Sequence, residues 1–227
     1  MGLAPIGISV YTRLTHFKST VSALAKNKLA DRSDLYIFSD AAKPGDERLV
    51  EKVRDFAKSI SGFKSLTVVE REFNSRVNNN RGGHKLLLEK YGKMIWLEDD
   101  IVTSPGFICF LNEALDFYEN KNNVLSITAY SPPFTIGCIS SKKDVFFLAR
   151  FNAWGMAIWK DRYELIREVD PELLSSRLVR KLRKSGDDIP GMVRMDLRGD
   201  INALDVRAMF WQNVYDYWTV YPKRSLV

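Results

Sequence analysis

Lys93-Met94-Ile95-Trp96-Leu97-Glu98-Asp99-Asp100 carries a short apolar run straight into three consecutive carboxylates, with Pro105 close behind. Such a run, bounded by polar residues, reads as a buried strand. Burying unpaired carboxylates costs several kcal/mol or more, so the triplet belongs where the strand emerges, beside a cation or solvent. In an open α/β sheet, ligands bind at the carboxyl ends of the strands. The triplet therefore marks a candidate metal and phosphate site at the tip of a central strand.

Upstream, Ile6-Gly7-Ile8-Ser9-Val10-Tyr11 reads as a first strand, and Leu14, Phe17, Val21 and Leu24 then recur at helical spacing. Leu35-Tyr36-Ile37-Phe38 is a second strand ending in Ser39-Asp40, and Leu49, Val53, Phe56 and Ile60 give the next helix its apolar face. Leu66-Thr67-Val68-Val69 is a third strand. Gly82-Gly83 is expected to open a short helix that Gly92 ends. Past the triplet, a helix follows Pro105 with Phe107, Phe110, Leu111, Ala114 and Leu115 inward, and Val124-Leu125-Ser126-Ile127 is a fifth strand. Strand starts recur about every 30 residues, the length of a βαβ unit. The expected fold is α/β, a Rossmann-type, mostly parallel sheet with helices on both faces.

After Ser131-Pro132-Pro133 the rhythm changes. Asp144 to Ala149 reads as a strand, the aromatic segment Phe151 to Trp159 follows, and Pro171 starts a helix ahead of a basic stretch. A loop through Gly186-Asp187-Asp188 and Pro190-Gly191 is expected to lead to a helix over residues 201–216, then a last strand, Tyr217 to Tyr221. Ser225-Leu226-Val227 ends the sequence directly after it, which suggests a trimmed C-terminal continuation. Residues 1–130 form a Rossmann-like half and 131–227 a second half of the same domain.

With 227 residues, 45% of them hydrophobic, the chain can bury a large core. Its net charge of +6 suits anionic partners such as nucleotides or acidic lipid. No basic run is long enough to make nucleic acid a partner. Cys109 and Cys138 form neither a C-x-x-C pair nor a ligand cluster, which fits a reduced, cytoplasmic setting. Met1 to Val10 lacks a signal-peptide pattern, and nowhere do about 18 apolar residues run together. There is no G-x-G-x-x-G after the first strand, no P-loop and no nucleophile elbow. What remains is a sheet with carboxylates at its strand tips.

Alternation along a strand puts Glu98 and Asp100 on one side and Asp99 on the other. A hard divalent cation, Mn²⁺ or Mg²⁺, takes one or two such carboxylates plus phosphate oxygens and neutralises a leaving diphosphate. Gly82-Gly83 reads as a plain loop rather than a phosphate cradle. His16 and His84 are isolated, and Phe151 and Trp159 read as core. The basic stripe Arg177, Arg180, Lys181, Arg183 and Lys184 reads as a solvated helix face and leaves room for a peripheral membrane contact.

From Ile95 to Leu115, an apolar strand, E-D-D, a short x-x-Ser-Pro and an aromatic helix resemble the D-x-D region of GT-A nucleotide-sugar glycosyltransferases. The N-acetylglucosaminyltransferase I type and its bacterial relatives are the nearest in pattern. Val10-Tyr11-Thr12-Arg13 with His16 to Thr20 resembles that family's first strand and turn. Phe151 to Arg162 resembles its Trp/Gly-rich acceptor segment, and Leu204-Asp205-Val206-Arg207, Val220-Tyr221-Pro222 and Ser225-Leu226-Val227 its W-D-x-R, Y-P and S-L-V block. Leu204 stands where the family has Trp.

The resemblance implies a metal-dependent, inverting glycosyltransferase using a nucleotide diphosphate sugar, with UDP as default. Its acceptor would be a glycan or lipid-linked saccharide, as in polysaccharide biosynthesis, met in the cytoplasm or at the inner face of the membrane. It makes residues 1–130 the donor half and 131–227 the acceptor side. Asp100 would be the metal ligand; Glu98 and Asp99 would contact the donor. Tyr11, Arg13, Asp40, Asn80 and Arg81 would line the nucleotide, Trp154 and Gly155 the acceptor, and Asp205 would be the catalytic base. Two alternatives stay open: a sugar-nucleotide nucleotidyltransferase, and a degenerate GT-A domain that binds glycan or protein.

Overall fold

The computed structural model describes residues 2–133 and 143–227; Cys138 lies outside them. The first half alternates strand and helix: β1 (Ile6–Val10), α1 (Leu14–Ala25), β2 (Asp34–Ser39), α2 (Glu47–Lys58), β3 (Ser65–Glu70), α3 (Arg76–Tyr91) and β4 (Lys93–Glu98). Next come α4 (Phe107–Tyr118), β5 (Val124–Thr128), β6 (Val145–Leu148), β7 (Met156–Trp159), α5 (Lys160–Tyr163), α6 (Ser176–Ser185), α7 (Ile189–Arg198), α8 (Leu204–Val214) and β8 (Trp218–Pro222). The strands form one sheet in the order β3-β2-β1-β4-β7-β5-β8-β6. β1, β2, β3 and β4 are mutually parallel, β7 runs antiparallel to both β4 and β5, β8 is parallel to β5, and β6 is antiparallel to β8. The sheet is therefore mostly parallel, with β6 and β7 reversed.

Alternation along the strands sorts the core into two layers. Ile6, Ile8, Leu35, Ile37, Ile95 and Leu97 pack with Phe17, Val21 and Val53 of α1 and α2 and Leu111 of α4. Tyr36, Phe38, Met94 and Trp96 point the other way, toward Leu87 of α3 and the helices α6, α7 and α8. Helices thus cover both faces, as a parallel sheet requires. From β1 the chain steps outward to β2 and β3, then returns through α3 to set β4 on the other side of β1. The strand order reverses at that point.

The structure departs from the sequence reading at four places. Gly82-Gly83 lies inside α3, which begins six residues earlier than Gly82, at Arg76, with the Ser75 hydroxyl accepting from Asn78 N–H at 3.3 Å. A Cβ at Gly83 would meet Trp96 at 2.6 Å and one at Gly7 the same ring at 2.5 Å, so both glycines exist to admit that indole. The stretch expected to loop through Pro190-Gly191 is α7, with Pro190 in its first turn, where proline costs the helix nothing. Pro171 starts only a 3₁₀ turn, Pro171–Leu173, ahead of α6. β7, read as an aromatic core segment, is a strand; Phe151 and Trp159 are indeed buried.

Candidate functional site

A cavity of about 450 Å³ opens at the carboxyl ends of β1 to β4. β1 delivers Tyr11 and Arg13, β2 delivers Asp40 and Lys43, β4 delivers Glu98, Asp99 and Asp100, and α3 with the loop before it delivers Asn74, Arg76, Asn79 and Asn80. Seven residues singled out from sequence thus share one cavity: Tyr11, Arg13, Asp40, Asn80 and the acidic triplet.

β4 stops pairing with β1 at Ser9 and Glu98, and the chain then turns, Ile101 N–H reaching Glu98 O at 3.4 Å. Strand alternation therefore ends at Glu98, and the expected grouping of Glu98 with Asp100 does not hold. Glu98 faces α3, with Arg76 Nη2 at 3.6 Å from its Oε1. Asp99 and Asp100 share Arg13, whose Nη1 donates to Asp100 Oδ2 at 2.8 Å and whose Nη2 donates to Asp99 Oδ1. Arg13 Nε adds a 3.3 Å bond to Asp99 Oδ2, and Thr20 Oγ1 donates to the Asp99 carbonyl at 2.9 Å.

Burial pushes the Asp99 carboxyl above its ordinary range, opposed by Arg13; burial likewise pushes Glu98 up, opposed by Arg76. Arg13 is held more firmly protonated, first by its hydrogen bond to Asp99. Asp99 is nearly closed to solvent, whereas the Asp100 side chain is 37% exposed. Among the described residues, no group of three or more His, Cys, Asp or Glu side chains is placed to hold a metal ion. A divalent ion here would rest on Asp100 and on oxygens of the ligand itself, a mode usual for Mg²⁺. The donor set fits that mode and no all-protein cage.

Two of the expected nucleotide contacts have structural work of their own. The Tyr11 hydroxyl donates to Asp46 Oδ2 at 2.6 Å and accepts from Lys43 N–H at 3.0 Å, fixing the turn beyond β2. Asp40 Oδ1 accepts from the N–H of Ala41 at 2.9 Å and of Ser75 at 3.0 Å, tying the tip of β2 to the start of α3. Asn80 differs. Its Oδ1 is buried with no hydrogen-bond partner, an arrangement that costs about 1–3 kcal/mol unless a ligand or water supplies a donor. Lys43, Asn74, Arg76 and Asn79 also line the cavity and escaped the sequence reading. Ser75 followed by Asn78 was the available signal, since an N-cap there places α3 and with it Arg76 and Asn79.

The remaining candidates lie apart. Arg81 donates to Asn202 Oδ1 at 3.0 Å and lines a different cavity, with Tyr163 and Arg207. Trp154 is exposed and meets Tyr130 edge to face at 4.9 Å. Gly155 holds φ +66° in a spot where a Cβ would meet Phe107 at 2.7 Å, so the turn into β7 requires it. Asp205 sits half-buried in the first turn of α8, its Oδ1 accepting from Val206 N–H at 3.0 Å, and it is not among the residues lining the triplet's cavity. Arg207 beside it is committed to a buried pair with Asp196, Nε to Oδ2 at 2.9 Å.

No known family profile and no curated protein sequence matches the chain. Among solved structures, residues 1–349 of TarS from S. aureus superpose at TM-score 0.48 and 11% identity, over 97% of this chain and 58% of that one. The mannosyltransferase PcManGT from Pyrobaculum calidifontis, in complex with GDP-Man and Mn²⁺, gives TM-score 0.48 and 10% identity over 93% and 72%. A cytidylyltransferase from Leptospira borgpetersenii gives TM-score 0.44 and 11% identity over 74% and 66%. The chain thus spans little more than half of the TarS structure.

Proposed function

We propose that the chain is a GT-A-type glycosyltransferase that binds a nucleotide diphosphate sugar, UDP-linked, in the cavity at the ends of β1 to β4. One observation carries the reading. The cavity lies outside the carboxyl ends of parallel strands at the point where strand order reverses, the position where open α/β sheets bind nucleotides, and it mixes carboxylates with cations. Carboxylates accept from ribose and sugar hydroxyls, and cations meet the diphosphate.

In this reading Arg13, Lys43 and Arg76 offset the diphosphate charge, and the free Asp40 oxygen accepts from the base's imide N–H. Asn80 Oδ1 takes a further donor from the nucleoside, and Glu98 and Asp99 orient the sugar. Tyr11 acts by holding the turn that carries Lys43. Mn²⁺ or Mg²⁺ held by Asp100 would supply charge neutralisation at the diphosphate. The acceptor, a glycan or lipid-linked saccharide, would lie against the exposed Trp154 and the half-buried Tyr130 beside it, with Gly155 shaping their turn.

The acceptor hydroxyl attacks the anomeric carbon as the bond to the diphosphate oxygen breaks, and the diphosphate leaves with the electron pair. The hydroxyl proton passes to Asp205, proposed as base on the face opposite the leaving group, which inverts the anomeric centre. Residues 1–130 then serve the donor and 131–227 the acceptor.

Calorimetry with UDP, with and without Mn²⁺, is expected to show binding that the ion strengthens and Asp100→Asn weakens. With a turned-over donor in hand, Asp205→Asn should cost about 10²–10⁴ in kcat and leave donor affinity within about threefold. Absence of UDP binding with or without Mn²⁺ sinks the reading. Turnover of a nucleoside triphosphate with diphosphate release would mean nucleotidyl transfer instead.

A further inference from the structure

α6 carries Arg177, Arg180, Lys181, Arg183 and Lys184 and no acidic residue. Leu178, Leu182 and Ser185 turn inward, so helical periodicity sends Arg180 and Arg183 to the outer side. α7 packs beside it, buries Ile189, Val193 and Asp196, and leaves Arg194, Met195 and Leu197 exposed. Between the two helices lies a concavity of about 420 Å³ whose charged lining is Arg180, Arg183 and Arg194, with Leu174 and Val179 as its apolar wall. No carboxylate lines it. Among the described residues none of these three guanidiniums forms an ion pair, while Lys181 and Arg198 nearby are paired with Asp216 and Asp200. Three unpaired like charges around one hollow repel one another, and an anion placed there relieves all three.

The apolar surroundings say which anion. Leu173 and Met195 are exposed next in sequence to Leu174 and Arg194 of that lining, where a soluble phosphate or a nucleic-acid backbone has no use for them. Basic side chains interleaved with apolar ones match the headgroup boundary of a bilayer, which offers phosphate above and acyl chain below. We propose that the α6–α7 face docks on an anionic lipid surface. Arg180, Arg183 and Arg194 grip a lipid phosphate, and Leu173 and Met195 enter the boundary. The surface shares no residue with the β1–β4 cavity and stands or falls independently of it.

Sedimentation of the full chain with phosphatidylcholine vesicles, with and without about 30 mol% phosphatidylglycerol, tests this. Binding is expected only with the anionic lipid and should weaken steeply as salt rises, because screening shortens the reach of the charges. Arg180→Glu/Arg183→Glu/Arg194→Glu should lower the partition coefficient by about a hundredfold or more, at roughly fivefold per basic residue. Leu173→Ser/Met195→Ser should lower it about tenfold. Lys26→Glu/Arg48→Glu/Lys52→Glu changes net charge equally, at the end of α1 and on α2, and should lower it far less. If the Arg-to-Glu variant does not fold, judged by its melting curve, the triple Gln variant replaces it with an expected loss of about a hundredfold. Equal binding to neutral vesicles, an unchanged partition for the Arg variants, or an equal loss in the control triple overturns the proposal. So does saturable binding of inorganic phosphate without vesicle binding, which would make the hollow a free-anion site.

Discussion

At the tip of β1, Arg13 spreads one guanidinium over two consecutive carboxylates, and that leaves Glu98 as the acid with the weakest compensation. Its only ion-pair partner among the described residues, Arg76, stands 3.6 Å away on a side chain that is 82% exposed, a geometry worth little. Burial raises the Glu98 pKa, and a carboxyl raised in the folded state favours folding below its unfolded pKa and loses that contribution as pH rises through the folded value. Near neutrality the ionised Glu98 is therefore a burden on the fold. Glu98→Gln is expected to stabilise the protein at pH 7 by on the order of 0.5 kcal/mol, with the gain shrinking as pH falls toward the carboxylate range; denaturant melts at several pH values measure it. Donor binding should weaken in the same variant. The triplet and Arg13 were legible in the sequence because they sit next to strand ends, where chain position alone fixes location. Lys43 and Arg76 were not, since a long side chain leaving a loop or a helix start can reach any of several directions.

Among the elements, α3 best shows how packing overrides propensity. Its sequence opens with Arg76-Val77-Asn78-Asn79-Asn80-Arg81 and carries two glycines mid-helix, features that argue against a helix when read locally. The glycines let α3 press onto the sheet, and the Trp96 indole lies between Gly83 above and Gly7 below. Gly83→Ala is therefore expected to destabilise the fold by about 2 kcal/mol through overpacking, although alanine is the better helix former. Gly106→Ala, where a Cβ meets nothing within 4 Å, should stay within about 0.5 kcal/mol; urea unfolding separates the two. The strand–helix rhythm of the first half was readable because each strand there is a continuous apolar run. β7 was not, because its four residues Met156-Ala157-Ile158-Trp159 pair antiparallel to β4 and β5 and fall outside the 30-residue βα rhythm that marked the others. α7 was hidden by Pro190-Gly191, a pair that usually marks a turn and here occupies a first helical turn.

For the molecule as a whole, His84 links stability to acid. It is buried between Trp96 and Tyr163, its Nδ1 sharing a 3.0 Å hydrogen bond with the Tyr163 hydroxyl and its Nε2 without a partner. Burial lowers its pKa to about 3, while Tyr163 is pushed up to about 12. An imidazole neutral in the fold and free to protonate when unfolded contributes fully above its unfolded pKa of about 6.5, and that contribution is lost as pH falls. Unfolding free energy should therefore drop by up to about 1.4 kcal/mol per pH unit between pH 6 and 4 on account of His84. His84→Gln should flatten that stretch of the curve, and an unchanged slope would assign the acid sensitivity elsewhere. No helix among the described residues is long and apolar enough to cross a membrane. β4 gains its second neighbour only when residues 156–159 arrive, and both neighbours of β5 come later still in the chain than Tyr130. A nascent chain that has just completed the acidic triplet thus carries one bare edge beside the cavity at the ends of β1 to β4, and a fragment ending at Tyr130 would keep that edge open to mispairing. The cavity at the ends of β1 to β4 is encoded early and secured late.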